Sequence, residues 1–190
     1  NLSLRIEGGL LVTPSSLAYD LMEPEDLVAI DFCGHPLTSR LSGHDRRPSS
    51  EWRLHADVFA DRPDAMAVLH CHPIHATALA CHGRGIPPFH YMTAVAGGDN
   101  IRCAPYATFG TAELSAHTVQ ALQERQACLL AHHGLVSLGR DLDQALKIAV
   151  EVETRAQMYL QALQLGEPPL LSASQMEEVH RQFRGLGYGQ

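Results

Sequence analysis

Short apolar runs bounded by glycine, proline or serine recur along this chain and constrain its fold more than any other feature. Residues 9–13, 27–32 and 65–71 are runs of this kind, and several of their side chains are β-branched. Such runs are typical of strands that are covered on both faces. Two further runs, residues 127–131 and 134–138, lie on either side of a pair of histidines, and their proximity predicts one continuous or bulged strand.

Helical segments alternate with these strands. The sequence Pro-Ser-Ser-Glu at residues 48–51 opens a helix, residues 74–81 form an alanine-rich one, and Thr111 can cap a third that extends to about residue 124. Asp141 opens the longest helix. The stripe along that helix comprises Leu146, Ala149, Val150, Glu153, Ala156, Leu160 and Leu163. This mixture predicts an α/β fold with a layered sheet, because the spacing is too irregular for a doubly wound parallel repeat.

Length and composition predict one domain. A chain of 190 residues with 45% hydrophobic content can bury one core but is short for two domains, so residues 1–190 are interpreted as a single domain. The formal charge of −7, with dispersed basic residues, offers no surface for nucleic acid. We expect no contact with a membrane, and a cytoplasmic location, because the sequence has neither a spanning apolar run nor a signal pattern. The strand-like start at Asn1, without Met, predicts that an N-terminal segment is missing.

Histidine is the residue type in which to look for chemistry, since the chain contains 12 of them. His70 and His72 end a predicted strand, and because side chains alternate along a strand, both rings point to the same face and can share one metal ion. Two such histidines can equally be ordinary core or surface groups. A third imidazole can come from His132 or His133, before Gly134, and spacing alone leaves that choice open.

Glu51 stands at a predicted helix start, where free amides and the helix dipole favour a carboxylate, so it can be a simple capping residue. Alternatively, it is a metal ligand and the base that moves a proton on the carbon beside a carbonyl, and both interpretations can hold together. Two serine turns, Ser15 with Ser16 and Ser49 with Ser50, can present hydroxyls and amides to a phosphate group, although serine is common in turns.

Tyr91 lies in a segment rich in glycine and proline, where a phenol can reach a substrate oxygen, although packing is the commoner role. Residues 33–47 are polar, without periodicity, and predict a surface loop or hairpin. The other histidines considered are interpreted as structural, and these are His55, His75, His82, His90 and His117.

Together, these motifs resemble the class II aldolase/adducin family from Asn1 to about Phe183. The resemblance rests on stretches that occur in the family's order. They are Asn1-Leu2-Ser3, Leu11-Val12-Thr13-Pro14-Ser15, Pro48-Ser49-Ser50-Glu51-Trp52-Arg53, His70-Cys71-His72, His90-Tyr91-Met92, Gly97-Gly98, Cys103-Ala104-Pro105-Tyr106-Ala107-Thr108-Phe109-Gly110-Thr111 and His132-His133-Gly134-Leu135.

The resemblance implies a central, mainly antiparallel sheet flanked by helices, and a homotetramer with active sites between neighbouring subunits. It implies one Zn²⁺ per subunit, and favours His133 over His132 as a ligand. The implied metal ligands are Glu51, His70, His72 and His133. Glu51 would also be the catalytic base, and Tyr91 would reach the next subunit's site as a proton donor. The substrate phosphate would lie on Asn1, Ser15, Ser16, Ser49 and Ser50.

The implied reaction is the cleavage of a ketose 1-phosphate, L-fuculose 1-phosphate, to dihydroxyacetone phosphate and L-lactaldehyde. Three departures leave the aldehyde open: Ser15-Ser16 stands where the family usually has Thr-Gly, the loop at residues 33–47 is longer, and Tyr188 aligns only approximately with a functional tyrosine. The alternatives on the same scaffold are a pentulose-phosphate 4-epimerase, a methylthioribulose-phosphate dehydratase and a phosphotetronate decarboxylase. A further alternative is an adducin-like interaction module without chemistry, against which the retained metal-site residues argue.

Overall fold

The computed structural model describes residues 1–37 and 46–186, which form a seven-stranded sheet with helices on both faces. The strands are β1 (Leu2–Ile6), β2 (Gly9–Val12), β3 (Val28–Asp31), β4 (Ala67–Cys71), β5 (Cys103–Ala104), β6 (Ala127–Leu130) and β7 (Gly134–Gly139). The α-helices are α1 (Trp52–Asp61), α2 (Ile74–Cys81), α3 (Ala112–Ala121), α4 (Leu142–Leu163) and α5 (Ala173–Leu186). Short 3₁₀ helices cover Tyr19–Leu21, Pro24–Asp26 and Tyr91–Ala96. Part of the predicted loop at residues 33–47, and Tyr188, lie outside the described residues.

The order of strands across the sheet is β3-β2-β1-β4-β7-β6-β5. Every neighbouring pair is antiparallel except β5 and β6, which run parallel. The predicted α/β class and the mainly antiparallel sheet are therefore confirmed. Among the described residues, no helix is long and apolar enough to cross a membrane.

The two faces of the sheet carry separate cores, and β4 contributes to both. Val68 packs into the core beneath α1 and α3, whereas Ala67 and Leu69 pack into the core beneath α2 and α4. Because side chains alternate along a strand, His70 and His72 share the face of Val68, toward α1. The ends of β4 and α1 therefore meet on one side of the sheet.

The prediction of one continuous or bulged strand through residues 127–138 is wrong. β6 and β7 are antiparallel neighbours, with Leu130 opposite Gly134, and the chain reverses in a tight turn between them. His132 sits in that turn with φ of +56°, a left-handed conformation that reverses direction and that strands do not adopt. Two apolar runs three residues apart look alike in sequence whether they continue or fold back.

The long helix α4 begins as predicted, with the Asp141 carboxylate accepting a hydrogen bond from the Gln144 amide at 2.7 Å. The predicted stripe is only partly buried, because Leu146 and Val150 are 54% and 55% exposed. The buried residues of α4 are Ala145, Ile148, Ala149, Val152, Arg155, Ala156 and Tyr159. The inward face of α4 is thus rotated relative to the predicted stripe, because α4 lies directly on β4 and β7.

Candidate metal centre

Three histidines meet at the end of β4. His70 and His72 extend from β4, and His133 comes from the turn between β6 and β7, which pairs beside β4. Their ring centroids are 4.7 to 5.0 Å apart, and one nitrogen from each ring lies within 4.8 Å of the other two. His132 points elsewhere, is exposed, and has its ring edge-on to Tyr106. The structure therefore brings His133, and not His132, into the cluster.

Gly134 allows this turn to close against β4. A Cβ atom on Gly134 would lie 2.4 Å from the carbonyl oxygen of Cys71 and 2.7 Å from Cδ2 of His72. Such distances are too short for any side chain, so the glycine that follows the histidine pair is required by the approach of the turn to His72. The His-His-Gly motif thus has a steric basis in the cluster itself.

Glu51 completes the cluster from the opposite side. It is the N-cap residue of α1 and is buried, and its carboxylate turns toward the imidazoles. Oε2 of Glu51 lies 3.1 Å from Nε2 of His70, and Oε1 lies 3.4 Å from Nε2 of His133. Among the residues that the structure describes, Oε1 of Glu51 has no hydrogen-bond partner. A buried carboxylate oxygen without a donor is costly, by about 1–3 kcal/mol or more, and a cation would remove that penalty.

The arrangement of protons also fits a cation. Nδ1 of His70 lies 2.9 Å from the carbonyl oxygen of Leu135, and a carbonyl can only accept, so Nδ1 carries the proton. In a neutral ring, Nε2 of His70 is then bare, and it faces Nε2 of His72 at 3.1 Å as well as the Glu51 carboxylate. Lone pairs that converge in this way, with one ring oriented by a carbonyl, are the usual arrangement of a metal site. The residues present therefore fit a divalent metal ion.

The pKa values of Glu51, His72 and His133 are shifted in the directions that favour binding of a cation. Burial pushes the pKa of Glu51 upward, but hydrogen bonding and charge from His70, the Asn1 amide and His133 outweigh it and lower the pKa from 4.5 to about 2. Burial, followed by the charge of His70, lowers the pKa of His72 and of His133. At neutral pH, Glu51 is therefore ionised and the His72 and His133 rings are neutral, which are the forms that ligate metals.

The two serine turns lie side by side next to Glu51. Pro14 and Pro48 form an isolated bridge, the Ser49 amide donates to the carbonyl of Thr13 at 3.0 Å, and the Ser15 amide donates to the carbonyl of Arg47 at 2.9 Å. Ser15, Ser16 and Ser50 are exposed, whereas Ser49 is buried and its hydroxyl accepts from the Glu51 amide at 3.3 Å. Three of the four predicted phosphate-binding serines therefore present exposed side chains at one corner.

Asn1 is also brought to the cluster. It pairs with His70 across the sheet, the His70 amide donating to the Asn1 carbonyl at 2.9 Å. Its side-chain nitrogen donates to Oε2 of Glu51 at 3.0 Å, and its side-chain oxygen lies 2.5 Å from Nε2 of His55. His55, which sequence reasoning treated as merely structural, therefore contacts this network, and its position four residues after Glu51 on the same helix is the signal that was missed.

Tyr91 is not part of the cluster. It begins the 3₁₀ helix Tyr91–Ala96, is 51% exposed, and stacks on the ring of His90 with centroids 4.8 Å apart. That 3₁₀ helix packs against α4 and α5, away from α1. In the part of the chain that the structure describes, the Tyr91 side chain makes no hydrogen bond or ring contact with Glu51 or the three histidines.

Comparison with known proteins gives the same picture. The family model described as Class II Aldolase and Adducin N-terminal domain matches residues 1–160. The 5-methylthioribulose-1-phosphate/5-deoxyribulose-1-phosphate aldolase of Rhodospirillum rubrum is 51% identical over 187 residues, which are 98% of this chain and 82% of that protein. The L-fuculose phosphate aldolase of Escherichia coli (strain K12) is 45% identical over 188 residues, 98% of this chain and 85% of that protein.

The solved structures agree with the sequences. A structure described as L-fuculose 1-phosphate aldolase matches with a TM-score of 0.89 at 36% identity, covering 96% of this chain and 84% of that one. The family model spans most of the chain, and both relatives span nearly all of it. The sheet, the sequence and the relatives lead to one conclusion: the chain belongs to the class II aldolase and adducin family.

Proposed function

We propose that this protein is a zinc-dependent aldolase, a lyase that cleaves a ketose 1-phosphate between C3 and C4 to dihydroxyacetone phosphate and a short aldehyde. The observation that carries the proposal is the convergence of Glu51, His70, His72 and His133 on one point, with exposed serine hydroxyls beside it. An interaction module that had lost its chemistry would have no reason to keep four such groups together, two of them, Glu51 and His70, buried.

The donor set favours zinc. Three imidazoles and one carboxylate form a set that is typical of catalytic zinc sites, where an open position remains for substrate. When bound, the ion supplies Lewis-acid stabilisation of the negative charge that develops on the ketose carbonyl oxygen. We assign one Zn²⁺ per chain to His70, His72, His133 and Glu51.

Glu51 is the group that exchanges a proton with the substrate carbon. In cleavage, the C4 hydroxyl loses its proton, the C3–C4 bond breaks, and its electron pair is delocalised into the C2 carbonyl until C3 receives a proton. Glu51 takes up a proton from solvent and delivers it to C3, and in the reverse direction the ionised carboxylate removes it. Its low pKa supports the second role, because the group is ionised at neutral pH before dihydroxyacetone phosphate binds.

Tyr91 would act in the site of a neighbouring subunit. Its exposed side chain supports a role between chains: as a phenolate it accepts the C4 hydroxyl proton during cleavage and then returns it to solvent, and as a phenol it donates a proton to the aldehyde oxygen during condensation. A homotetramer with sites between subunits is part of this proposal. Mixing inactive Tyr91→Phe with inactive Glu51→Gln protein tests it: assembly between chains restores some intact sites and some activity, whereas activity that stays at zero after subunit exchange contradicts it.

The phosphate serves as a handle that does not react. Ser15, Ser16 and Ser50 expose hydroxyls at one corner, and together with Ser49 and the Asn1 amide they can surround an anion. The Asn1 nitrogen carries two protons, so donating one to Glu51 leaves the other for a substrate oxygen. Binding energy from the phosphate then orients C3 and C4 at the cluster.

The substrate class follows from what the named substrates of the relatives share. 5-Methylthioribulose 1-phosphate, 5-deoxyribulose 1-phosphate and L-fuculose 1-phosphate all carry phosphate on C1, a ketone on C2 and a terminal carbon without a hydroxyl. Cleavage at C3–C4 leaves methylthioacetaldehyde, acetaldehyde or lactaldehyde. We propose the pentulose 1-phosphates as first substrates, because their aldolase is 51% identical, and L-fuculose 1-phosphate as second, because its aldolase is 45% identical.

An assay of zinc-loaded protein against these three ketose 1-phosphates, with the unphosphorylated ketoses as controls, tests the proposal. Release of dihydroxyacetone phosphate together with the matching aldehyde is the expected result. Formation of an epimer, loss of water or release of CO₂ from a corresponding substrate, without dihydroxyacetone phosphate, would assign the protein to one of the other reactions of this scaffold.

A further inference from the structure

A chain of hydrogen bonds, partly buried at Asn1 and fully buried at its inner end, extends from Glu51 back into the protein. Nδ2 of Asn1 donates to Oε2 of Glu51 at 3.0 Å, Oδ1 of Asn1 lies 2.5 Å from Nε2 of His55, and Nδ1 of His55 lies 2.6 Å from the hydroxyl of Ser3. His55 is fully buried, Ser3 is 2% exposed, and Glu51 is 7% exposed. Asn1 is half-buried, so water has little access to His55, Ser3 and Glu51, and these buried groups depend on their neighbours in the chain.

The chemistry of these groups permits one arrangement of protons. A carboxylate can only accept, so Asn1 must turn its NH₂ group to Glu51 and its carbonyl to His55. That carbonyl can only accept, so Nε2 of His55 must donate, and Nδ1 of a neutral ring must then accept from Ser3. Burial, and then the charge of His70, lowers the pKa of His55 to about 3, which agrees with a neutral ring that has one fixed tautomer.

The positions of these four residues on α1 and at the start of β1 explain why their side chains form this series of hydrogen bonds. Glu51 and His55 are four residues apart and face the same side of α1, toward β1. Asn1 and Ser3 are two residues apart at the start of β1, so their side chains point to that same face. His55 thus lies beneath Asn1 and Ser3 and contacts no residue of the histidine cluster through a hydrogen bond in the described part of the chain.

We propose that His55 is a positioning residue, which holds the Asn1 amide with its NH₂ group toward Glu51 and thereby fixes the carboxylate that binds the metal. The inference deepens the proposed function, because it concerns the same metal site. Without the donor from His55, the Asn1 amide can rotate and present its carbonyl to the Glu51 carboxylate, which repels it. Hydrogen bonds that orient a metal ligand typically change metal affinity or activity by about 10- to 100-fold when they are lost.

Two variants of similar size separate positioning from packing. In His55→Gln, the side-chain NH₂ can take the place of Nε2 and donate to Asn1, while Ser3 loses its acceptor. In His55→Asn, the shorter side chain can accept from Ser3 but leaves the Asn1 carbonyl without a donor. Each variant removes one hydrogen bond of the fully buried His55 side chain, so their free energies of unfolding should fall by similar amounts. His82→Gln, at an exposed histidine that ends α2, is the control.

The main measurement is zinc affinity of the metal-stripped full chain, obtained by competition with a chromogenic chelator. We expect the Kd to rise about 10- to 100-fold in His55→Asn and to change less than about threefold in His55→Gln and His82→Gln. With zinc saturating and the sugar phosphate varied, kcat should follow the same order while KM changes less. Equal zinc affinities in the two His55 variants would overturn the proposal, since a packing role predicts equal losses.

A measurement on the wild type keeps the proposal testable if either variant fails to fold. Nitrogen-15 NMR of the metal-free protein should show His55 with Nε2 protonated and Nδ1 bare, and the opposite tautomer would contradict the inference. Neither the zinc affinity nor the NMR measurement uses a sugar phosphate. If the wild type binds zinc and the His55 variants differ, but none of the ketose phosphates is cleaved, then the proposed reaction fails while the positioning role stands.

Discussion

Nε2 of His70 lies 3.1 Å from Oε2 of Glu51, and the other nitrogen of the same ring, Nδ1, is held at 2.9 Å by the carbonyl oxygen of Leu135. A ring with a single proton keeps that proton on Nδ1, where it is donated to the carbonyl of Leu135, and this leaves two electron-rich atoms facing each other in a buried pocket. They can stay there only if a proton or a metal ion joins them. The same short approach that makes the metal-free site unfavourable therefore makes it a strong site for a cation.

Replacing Glu51 with Gln should separate metal binding from turnover. Three imidazoles remain, so zinc still binds, although more weakly, but the group that exchanges the C3 proton is gone. We expect kcat to fall by about 10²- to 10⁴-fold, the usual contribution of a positioned acid or base. Glu113→Gln, in the exposed first turn of α3, is the matched control and should stay close to wild type. Retained turnover in Glu51→Gln would refute the assignment.

The two adjacent histidines should differ sharply on substitution. His133→Asn removes a ring from the cluster. Loss of a hydrogen bond that only orients a ligand reduces metal affinity about 10- to 100-fold, so loss of the ligand itself should reduce zinc affinity by at least that much. His132→Asn should leave it nearly unchanged, because asparagine tolerates the left-handed backbone at that residue. Zinc content after dialysis, measured for both variants, checks this prediction, and a larger loss in His132→Asn would reverse the choice of ligand.

Ser50→Ala should weaken substrate binding more than it slows the reaction. A hydrogen bond to a charged phosphate contributes about 1.5–3 kcal/mol, so KM should rise about 10- to 100-fold with a smaller change in kcat. The control is Ser174→Ala, at an exposed serine in the first turn of α5. Steady-state kinetics with the phosphorylated ketose provides the measurement. An unchanged KM would remove Ser50 from the phosphate site.

Acid should destabilise the metal-free protein partly through His55. Its pKa is about 3 when folded and 6.5 ordinarily, so between these values the unfolded chain binds a proton that the folded protein does not. The contribution of His55 to stability is therefore fully present above pH 6.5. As the pH is lowered, this group reduces the free energy of unfolding by up to about 1.4 kcal/mol per pH unit. The lowered pKa values of His72, His133 and Glu51 act in the same direction.

Denaturant unfolding of the metal-free wild type and His55→Gln between pH 7 and pH 5 measures this contribution. As the pH is lowered, the free energy of unfolding should fall more steeply in the wild type than in His55→Gln, because glutamine does not titrate. The difference in slope should correspond to the uptake of about one proton on unfolding. Parallel curves for the two proteins would show that His55 is protonated in the folded state at these pH values.

Part of the site could be predicted because strand geometry is regular. Alternation along β4 directs His70 and His72 to one face, and the capping preferences of serine and a carboxylate put Glu51 at a helix start. The choice of His133 could not be made from spacing. It depends on the left-handed turn at His132, and that turn depends on β7 folding back beside β4, a contact distant in sequence.

The buried face of α4 and the role of His55 depend on packing between elements, which the periodicity of the sequence does not reveal. Leu146 and Val150 fit a helical stripe as well as the buried residues do, and only the placement of α4 on β4 and β7 decides which side faces inward. In the sequence, His55 resembles any other residue of the α1 core, and only the folded structure shows its hydrogen bonds to Asn1 and Ser3. Pairing between the first strand and the first helix is long-range information.

The central claim is that the three histidines and Glu51 bind one metal ion that aldol cleavage requires. The most direct test is to strip the protein with a chelator, add Zn²⁺ in measured steps, and follow the release of dihydroxyacetone phosphate from a ketose 1-phosphate. The account predicts that the stripped protein is inactive and that activity rises linearly to a plateau at one Zn²⁺ per chain, with no recovery in His133→Asn at the same zinc level. Full activity in the stripped protein, or equal recovery in His133→Asn, would contradict it.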